Sequence, residues 1–238
     1  MPGSVNLFCV PFAGGNAYSY RSLEQRMPQA IKVRPLELPG RGQRSNESRA
    51  TSLQEMALDL LAVMRPSLNQ PYALFGHSMG AFVAYLISCQ LVRECLPLPS
   101  HLFLSGKGPP HRSSGEAPWH ALPLGEFKLK LAELGGSPAA VLDNRELMDY
   151  FAPMIRDDMK IIAEYQHNPA PPLAVPITVM IGAADYTTKA QAAGWNELTT
   201  AGFRLLQYEG GHFFWLDHLV DICELMGSTL KSKNEQVA

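Results

Sequence analysis

The stretch "YALFGHSMGAFVAY", residues 72–85, decides the fold. Its first four residues are apolar or aromatic and read as a short buried strand, and the run from Ala81, "AFVAYLISCQLV", reads as a buried helix. Between them Ser78 stands in the pattern Gly-x-Ser-x-Gly, flanked by Gly76 and Gly80. Strand, sharp turn and helix in immediate succession make a nucleophile elbow: the glycines let strand and helix approach closely, and the turn lifts the serine Oγ at the strand end. The same glycines would suit a plain corner between two buried elements. What Ser78 does therefore depends on what the rest of the chain brings to it.

Five more short apolar runs bounded by Gly or Pro alternate with helical patterns: "VNLFCV" (5–10), "IKVRPLEL" (31–38), "HLFLSG" (101–106), "ITVMIG" (177–182) and "FRLLQY" (203–208). The clearest helix spans 52–65. Ser52 and Glu55 form a capping-box pair, Leu53, Met56, Ala57, Leu60, Leu61 and Met64 share one face, and Pro66 stops it. Strands alternating with helices in this order imply a mainly parallel sheet covered by helices on both faces. The gap between the strands ending near Gly106 and starting at Ile177 is too long for a simple connection. Within it, "GKGPPHRSSGEAP" (106–118) is turn-rich, "LGEFKLKLAELGG" is a helix closed by Gly135, and a longer helix starts near Asn144 and is interrupted at Pro153. Leu147, Phe151, Met154, Ile155, Met159 and Ile162 run along that helix. An ordinary helical subdomain would look like this, as would a lid whose apolar face covers a substrate chamber. We expect one domain over 1–238 with a lid insertion at 107–172.

Composition narrows the partners. The chain has 238 residues, 46% hydrophobic and 18% charged, with a net charge of −2, so it carries neither the basic footprint of a nucleic-acid binder nor a polybasic membrane patch. No window approaches a membrane span, and the N-terminus lacks a leader pattern, which points to the cytoplasm. Cys9, Cys89, Cys95 and Cys223 show no metal-type spacing.

A serine hydroxyl is a weak nucleophile and needs a base and a group that orients the base. Asp185 follows the strand "ITVMIG", where its carboxylate could accept from an imidazole Nδ1–H or merely cap the next helix. His212 follows "FRLLQY" in the Gly-rich "EGGHFFW". All three candidates lie at carboxyl ends of strands, where open parallel sheets place their sites. His77 adjoins Ser78 and suits packing or gating better than base work, and His218, Asp217 and Asp221 read as surface residues of the C-terminal helix. His101, His111, His120 and His167 default to structural or surface roles. Acyl transfer also needs oxyanion donors. Met79, next after the serine, supplies one N–H, and the loop "PFAGG" (11–15) supplies another, assigned to Ala13; glycine needed only for a tight turn is the alternative there.

With these residues in hand, the chain is similar to the type II thioesterases, the discrete α/β-hydrolases that accompany modular polyketide synthases and nonribosomal peptide synthetases. The resemblance covers nearly the whole sequence. It rests on "VPFAGG", "LPGRGQR" (38–44), "FGHSMGA" (75–81), "LFLSGKGPP" (102–110), the "LAELGG" to "IIAEYQ" segment (131–166), "PITVMIGAAD" (176–185) and "EGGHFFW" (209–215). It implies an α/β-hydrolase fold with a helical lid, and hydrolysis of acyl thioesters from the phosphopantetheine arm of acyl or peptidyl carrier proteins, which removes stalled or wrong acyl groups. The family's serine, aspartate and histidine match Ser78, Asp185 and His212. In fused, terminal thioesterases the acid follows the strand after the nucleophile helix; here that strand ends "SGKGPP", without an acid. In "GAADYTT" the chain lacks a further acidic residue that many relatives carry near Asp185. No metal or redox cofactor is implied, and we expect a monomer. Arg41 and Arg44 in "PGRGQR" are candidates for a basic rim that meets an acidic carrier or for the arm's phosphate, and equally for stabilising their own loop. A medium-chain fatty-acyl thioesterase, a general ester hydrolase and a catalytically silent hydrolase fold that binds a partner are the competing readings.

Overall fold

The computed structural model describes residues 4–112 and 118–237, the last six by their backbone alone. Of the turn-rich stretch expected at 106–118, residues 113–117 therefore lie outside the described residues. Six strands, β1 (Val5–Val10), β2 (Ile31–Pro35), β3 (Tyr72–His77), β4 (Leu102–Ser105), β5 (Ile177–Gly182) and β6 (Phe203–Tyr208), form one sheet in the order β2-β1-β3-β4-β5-β6. Every neighbouring pair is parallel. Nine helices accompany them among the described residues: α1 (Arg21–Arg26), α2 (Leu53–Met64), α3 (Met79–Arg93), α4 (Leu124–Leu134), α5 (Ala139–Leu142), α6 (Arg145–Glu164), α7 (Lys189–Ala193), α8 (Phe214–Asp217) and α9 (Leu219–Val237).

The four central strands β1, β3, β4 and β5 are buried along their whole length because both faces of the sheet are covered there, whereas the edge strands β2 and β6 expose Lys32, Arg34, Arg204 and Gln207. Alternate residues of one strand feed different clusters. Val5, Leu7 and Cys9 pack with α1, α8 and α9, whereas Phe8 and Val10 pack with α2 and α3. Ala73 and Phe75 of β3 join the first side, Tyr72 and Leu74 the second. α2 buries the six residues named from its spacing, and Ser52 accepts the Glu55 N–H at 3.1 Å. Only half of the capping box forms, because the Glu55 carboxylate turns to the Thr51 N–H and hydroxyl instead. Past Met64 a 3-10 turn, Arg65–Ser67, takes in Pro66, so the α-helix tightens before it stops.

β2 is shorter than the apolar run suggested. The Leu36 N–H makes a last bond to Cys9 O at 2.9 Å, after which Pro39 and Gly40 turn the chain away. Residues 106–176 separate β4 from β5 and contain α4, α5 and α6, which form a third cluster with Phe127, Leu131, Leu142, Met148, Ala152 and Ile155 at its centre. α4 ends at Gly135, whose φ of 77° suits glycine. α6 starts at its cap, Asn144, but runs straight through Pro153, where an interruption was expected. Pro153 lies on the exposed side, so water can satisfy the carbonyl it leaves without an N–H partner. The inward face is the expected one at Met154, Ile155 and Ile162, with Phe151 and Met159 half-buried against the cluster; it differs in the first turn, where Met148 is buried and Leu147 is 38% exposed.

Candidate active site

β3 delivers Ser78 directly to the first turn of α3. Its backbone sits at φ 53°, ψ −118°, a conformation that costs a non-glycine residue on the order of 1–3 kcal/mol. The flanking glycines are steric necessities: a Cβ on Gly76 would lie 2.1 Å from Gly80 O, and one on Gly80 would lie 2.4 Å from Val10 O. The Ser78 N–H donates to Ser105 O at 2.7 Å, which ties the turn to the end of β4. Met79 occupies the first position of α3, where its N–H has no intrahelical acceptor and the positive end of the helix dipole favours a developing anion. Neither the Met79 nor the Ala13 N–H has an acceptor among the described residues.

Asp185 and His212 follow β5 and β6. His212 Nδ1 lies 3.0 Å from Asp185 Oδ1 and 3.1 Å from Oδ2, with the carboxylate fully buried and the imidazole 5% exposed. Thr187 N–H reaches Oδ1 at 3.4 Å. Three rings enclose His212: Tyr186 and His77 lie with ring centres 4.7 Å away, and Phe213 meets it edge-on at 5.4 Å. His77 is fully buried, and its Nδ1 lies 3.0 Å from Ser105 Oγ. Burial first and the His212 charge second hold its pKa well below the usual histidine range, so it stays neutral beside His212.

Ser78 and His212 border a chamber of about 150 Å³ walled by Phe12, Ala13, Gly14, Leu131, Leu134, Ile155, Met159 and Phe213. A smaller recess shares Ala13, Ser78 and His212 with it and reaches Lys107, Trp119 and Tyr186. The walls are thus mainly apolar, and Leu131, Ile155 and Met159 come from the segment between β4 and β5.

The remaining histidines lie elsewhere. His101 stacks on Phe103 and meets Thr178 Oγ1 at 2.8 Å, and His111 pairs with Glu197. His218 follows α8, ahead of the long C-terminal helix in which it was expected, and its Nε2 lies 3.0 Å from Glu209 O. Arg41 and Arg44 do not form an open basic rim. Arg41 is 3% exposed and ion-paired to Asp158, while Arg44 binds Asp59 at 2.6 Å and Glu47 at 2.5 Å.

Two side chains of the site went unnoticed in the sequence. Tyr186, directly after Asp185, is 43% exposed, yet the protein around it and then the Asp185 charge push its phenol above the usual tyrosine range, against a hydrogen bond with Ser78. Lys107, just past β4, is 4% exposed, with Nζ 5.1 Å from the Phe82 ring centre and 5.7 Å from that of Tyr186. Burial lowers its pKa to about 7 despite the Asp185 charge. Position after a strand end was the available signal for both.

A strained serine between β3 and α3, with an Asp–His pair beyond β5 and β6 of a parallel sheet, defines an α/β-hydrolase. The chain belongs to the thioesterase domain family, whose model matches residues 5–230. It is therefore an enzyme of the thioester hydrolase type. Among curated proteins it is 35% identical to linear gramicidin dehydrogenase LgrE of Brevibacillus parabrevis, over 96% of this chain and 88% of that one. That name notwithstanding, the turn after β1 here reads Pro-Phe-Ala-Gly-Gly, without the Gly-x-Gly-x-x-Gly of a dinucleotide site. Among solved structures, ClbQ from the colibactin NRPS/PKS pathway superposes with a TM-score of 0.91 at 30% identity, covering 99% of this chain and 100% of its own. The type II thioesterase BorB from the borrelidin biosynthetic cluster gives 0.88 at 32% identity, covering 97% and 94%.

Proposed function

We propose that this enzyme is a type II, editing thioesterase that frees acyl groups from the phosphopantetheine arm of acyl or peptidyl carrier domains. The observation that carries the mechanism is the His212–Asp185 contact at 3.0 Å beside a chamber that Ser78 also borders. Support for the pathway comes from likeness to BorB and ClbQ over nearly their whole lengths. In this reading His212 takes the proton of Ser78 Oγ as it attacks the thioester carbonyl. The Met79 and Ala13 amides hold the oxyanion, and the collapsing intermediate expels the carrier thiolate, which takes the proton from His212. Water then enters, gives a proton to His212 and attacks the acyl-serine. The free acid leaves and Oγ regains its proton, while Asp185 keeps the imidazole oriented and balances its transient charge. These steps call on no metal or redox cofactor.

The segment 107–172 acts as the lid of the single catalytic domain, since it contributes Leu131, Ile155 and Met159 to the chamber wall. The protein works as a monomer in the cytoplasm, where carrier domains are loaded; no described helix is long and apolar enough to cross a membrane. The test is release of a panel of acyl groups from one carrier protein, followed by intact-protein mass spectrometry, with acyl-CoA and p-nitrophenyl esters run in parallel. Preference for the carrier-bound thioester supports the reading. Preference for free medium-chain acyl-CoA or for esters moves the enzyme to fatty-acyl or general ester hydrolysis, and a Ser78 that takes no fluorophosphonate label would mark a silent fold.

A further inference from the structure

Asp158 of α6 is 2% exposed, and Arg41, in the loop after β2, is 3% exposed. They meet through two parallel bonds, Nη1 to Oδ2 at 2.8 Å and Nη2 to Oδ1 at 2.9 Å. Asp158 Oδ2 also accepts the Gly14 N–H at 2.8 Å, and Arg41 Nη1 donates to Gly15 O at 3.3 Å. One turn earlier on α6, Ile155 lies against Gly14, where a Cβ would come within 2.5 Å of Ile155 Cγ1. Three partners thus grip two successive residues of the loop that carries Ala13.

A buried ion pair is a poor device for stability alone, because desolvation of the two charges cancels much or all of their attraction. What this pair gives is direction. Gly14 adopts φ 73°, and the peptide that carries its N–H is joined through Ala13 alone to the one that carries the Ala13 N–H; a carboxylate that holds the first, together with the Gly15 N–H bond to Phe12 O at 2.8 Å, restricts which way the second points. Because the carboxylate belongs to α6, the loop has that anchor only when α6 is seated.

We propose that Asp158 and Arg41 are positioning residues, a latch that makes the oxyanion loop competent only while α6 is closed over the chamber. This rests on the reading of the Ala13 N–H as an oxyanion donor. The latch links two events that a lid enzyme must order. An acyl chain enters while α6 is displaced and the loop is slack, and reseating of the helix restores the donor before Ser78 attacks.

The test uses the full chain with Asp158→Asn and with the double variant Arg41→Met/Asp158→Leu, which replaces both charges by apolar side chains. For each, kcat and KM on a carrier-bound acyl thioester and on a p-nitrophenyl ester are measured together with the thermal midpoint. Loss of a well-placed oxyanion donor should lower kcat about 100-fold for both variants, with KM within about threefold of wild type, and the midpoint of the double variant should recover while its kcat does not. A double variant with near-wild-type midpoint and kcat would overturn the latch. Wild type active on the ester but not on the carrier-bound substrate would sink the carrier reading and leave the latch to be judged on the ester. Hydrogen–deuterium exchange of the wild type needs no variant: peptides over 11–15 and 150–160 should lose protection together, and a loop that stays protected while α6 exchanges overturns the proposal.

Discussion

His212 Nδ1 lies almost equally far from the two oxygens of Asp185, at 3.0 and 3.1 Å, so the carboxylate faces the ring nitrogen with its whole fork. This arrangement favours the tautomer with the proton on Nδ1, which leaves Nε2 as the acceptor. Asp185→Asn keeps the shape but can present an amide N–H to Nδ1 and stabilise the other tautomer. Its kcat should fall by roughly 10⁴-fold while its circular dichroism stays that of wild type. A loss under tenfold would remove Asp185 from the mechanism.

Ser78 is held in a conformation that suits glycine better than serine. Ser78→Ala and His212→Ala should each lose about 10⁴-fold or more in turnover. Ser78→Gly should lose as much, yet relief of the strained φ should raise its stability above that of Ser78→Ala by about 1 kcal/mol, read from urea midpoints.

Gly76 has no room for a methyl group, since the obstacle is the carbonyl oxygen of Gly80 and backbone does not yield as a flexible side chain does. Gly76→Ala should destabilise the protein by about 3 kcal/mol or more, and loss of soluble folded protein on expression is the expected outcome.

Lys107 has a pKa of about 7 in the fold against an ordinary 10.5. Between those values the unfolded chain holds a proton that the folded chain lacks, so this group makes the protein more stable as pH rises from about 7 to 10.5. Below pH 7 the full cost of burying the charge is present. Lys107→Met should therefore gain in thermal midpoint over wild type at pH 6, and that gain should shrink by pH 10. A constant difference at the two pH values would show that the lysine is not titrating as described.

His77 and His212 touch, but only His212 faces Asp185 and borders the chamber. His77→Gln, which can still bond to Ser105 Oγ, should cost less than about tenfold in kcat, against the far larger loss expected for His212→Ala.

The sheet was legible because six short, mainly apolar runs bounded by Gly and Pro suit strands, four of them buried throughout and the two edge strands, β2 and β6, only in part. Ser78, Asp185 and His212 stood out because each follows such a run. The segment between β4 and β5 was harder. Its helices were visible, and so was most of the inward face of α6, but in the first turn Leu147 and Met148 differ too little in hydrophobicity to show which of them tertiary packing buries. Arg41 and Asp158 were illegible for another reason: an arginine in a loop and an aspartate on a helix usually meet water, and only the folded chain brings two residues so distant in sequence into one buried pair. Pro153 misled because its missing N–H and ring clash usually end a helix, whereas α6 continues past it with the proline on the exposed side, where water reaches the freed carbonyl.

The cluster of α4, α5 and α6 shares none of its central residues with the two clusters that sandwich the sheet. Leu131 and Ile155 belong to it and also wall the chamber. Their shape can therefore change without disturbing the strands that aim Ser78, Asp185 and His212. In the proposed reading the enzyme has, in effect, an interchangeable mould set on a fixed tool: exchanges at Leu131 should retune which chains are accepted, while exchanges at Ile155, which also presses on Gly14, should alter fit and rate together.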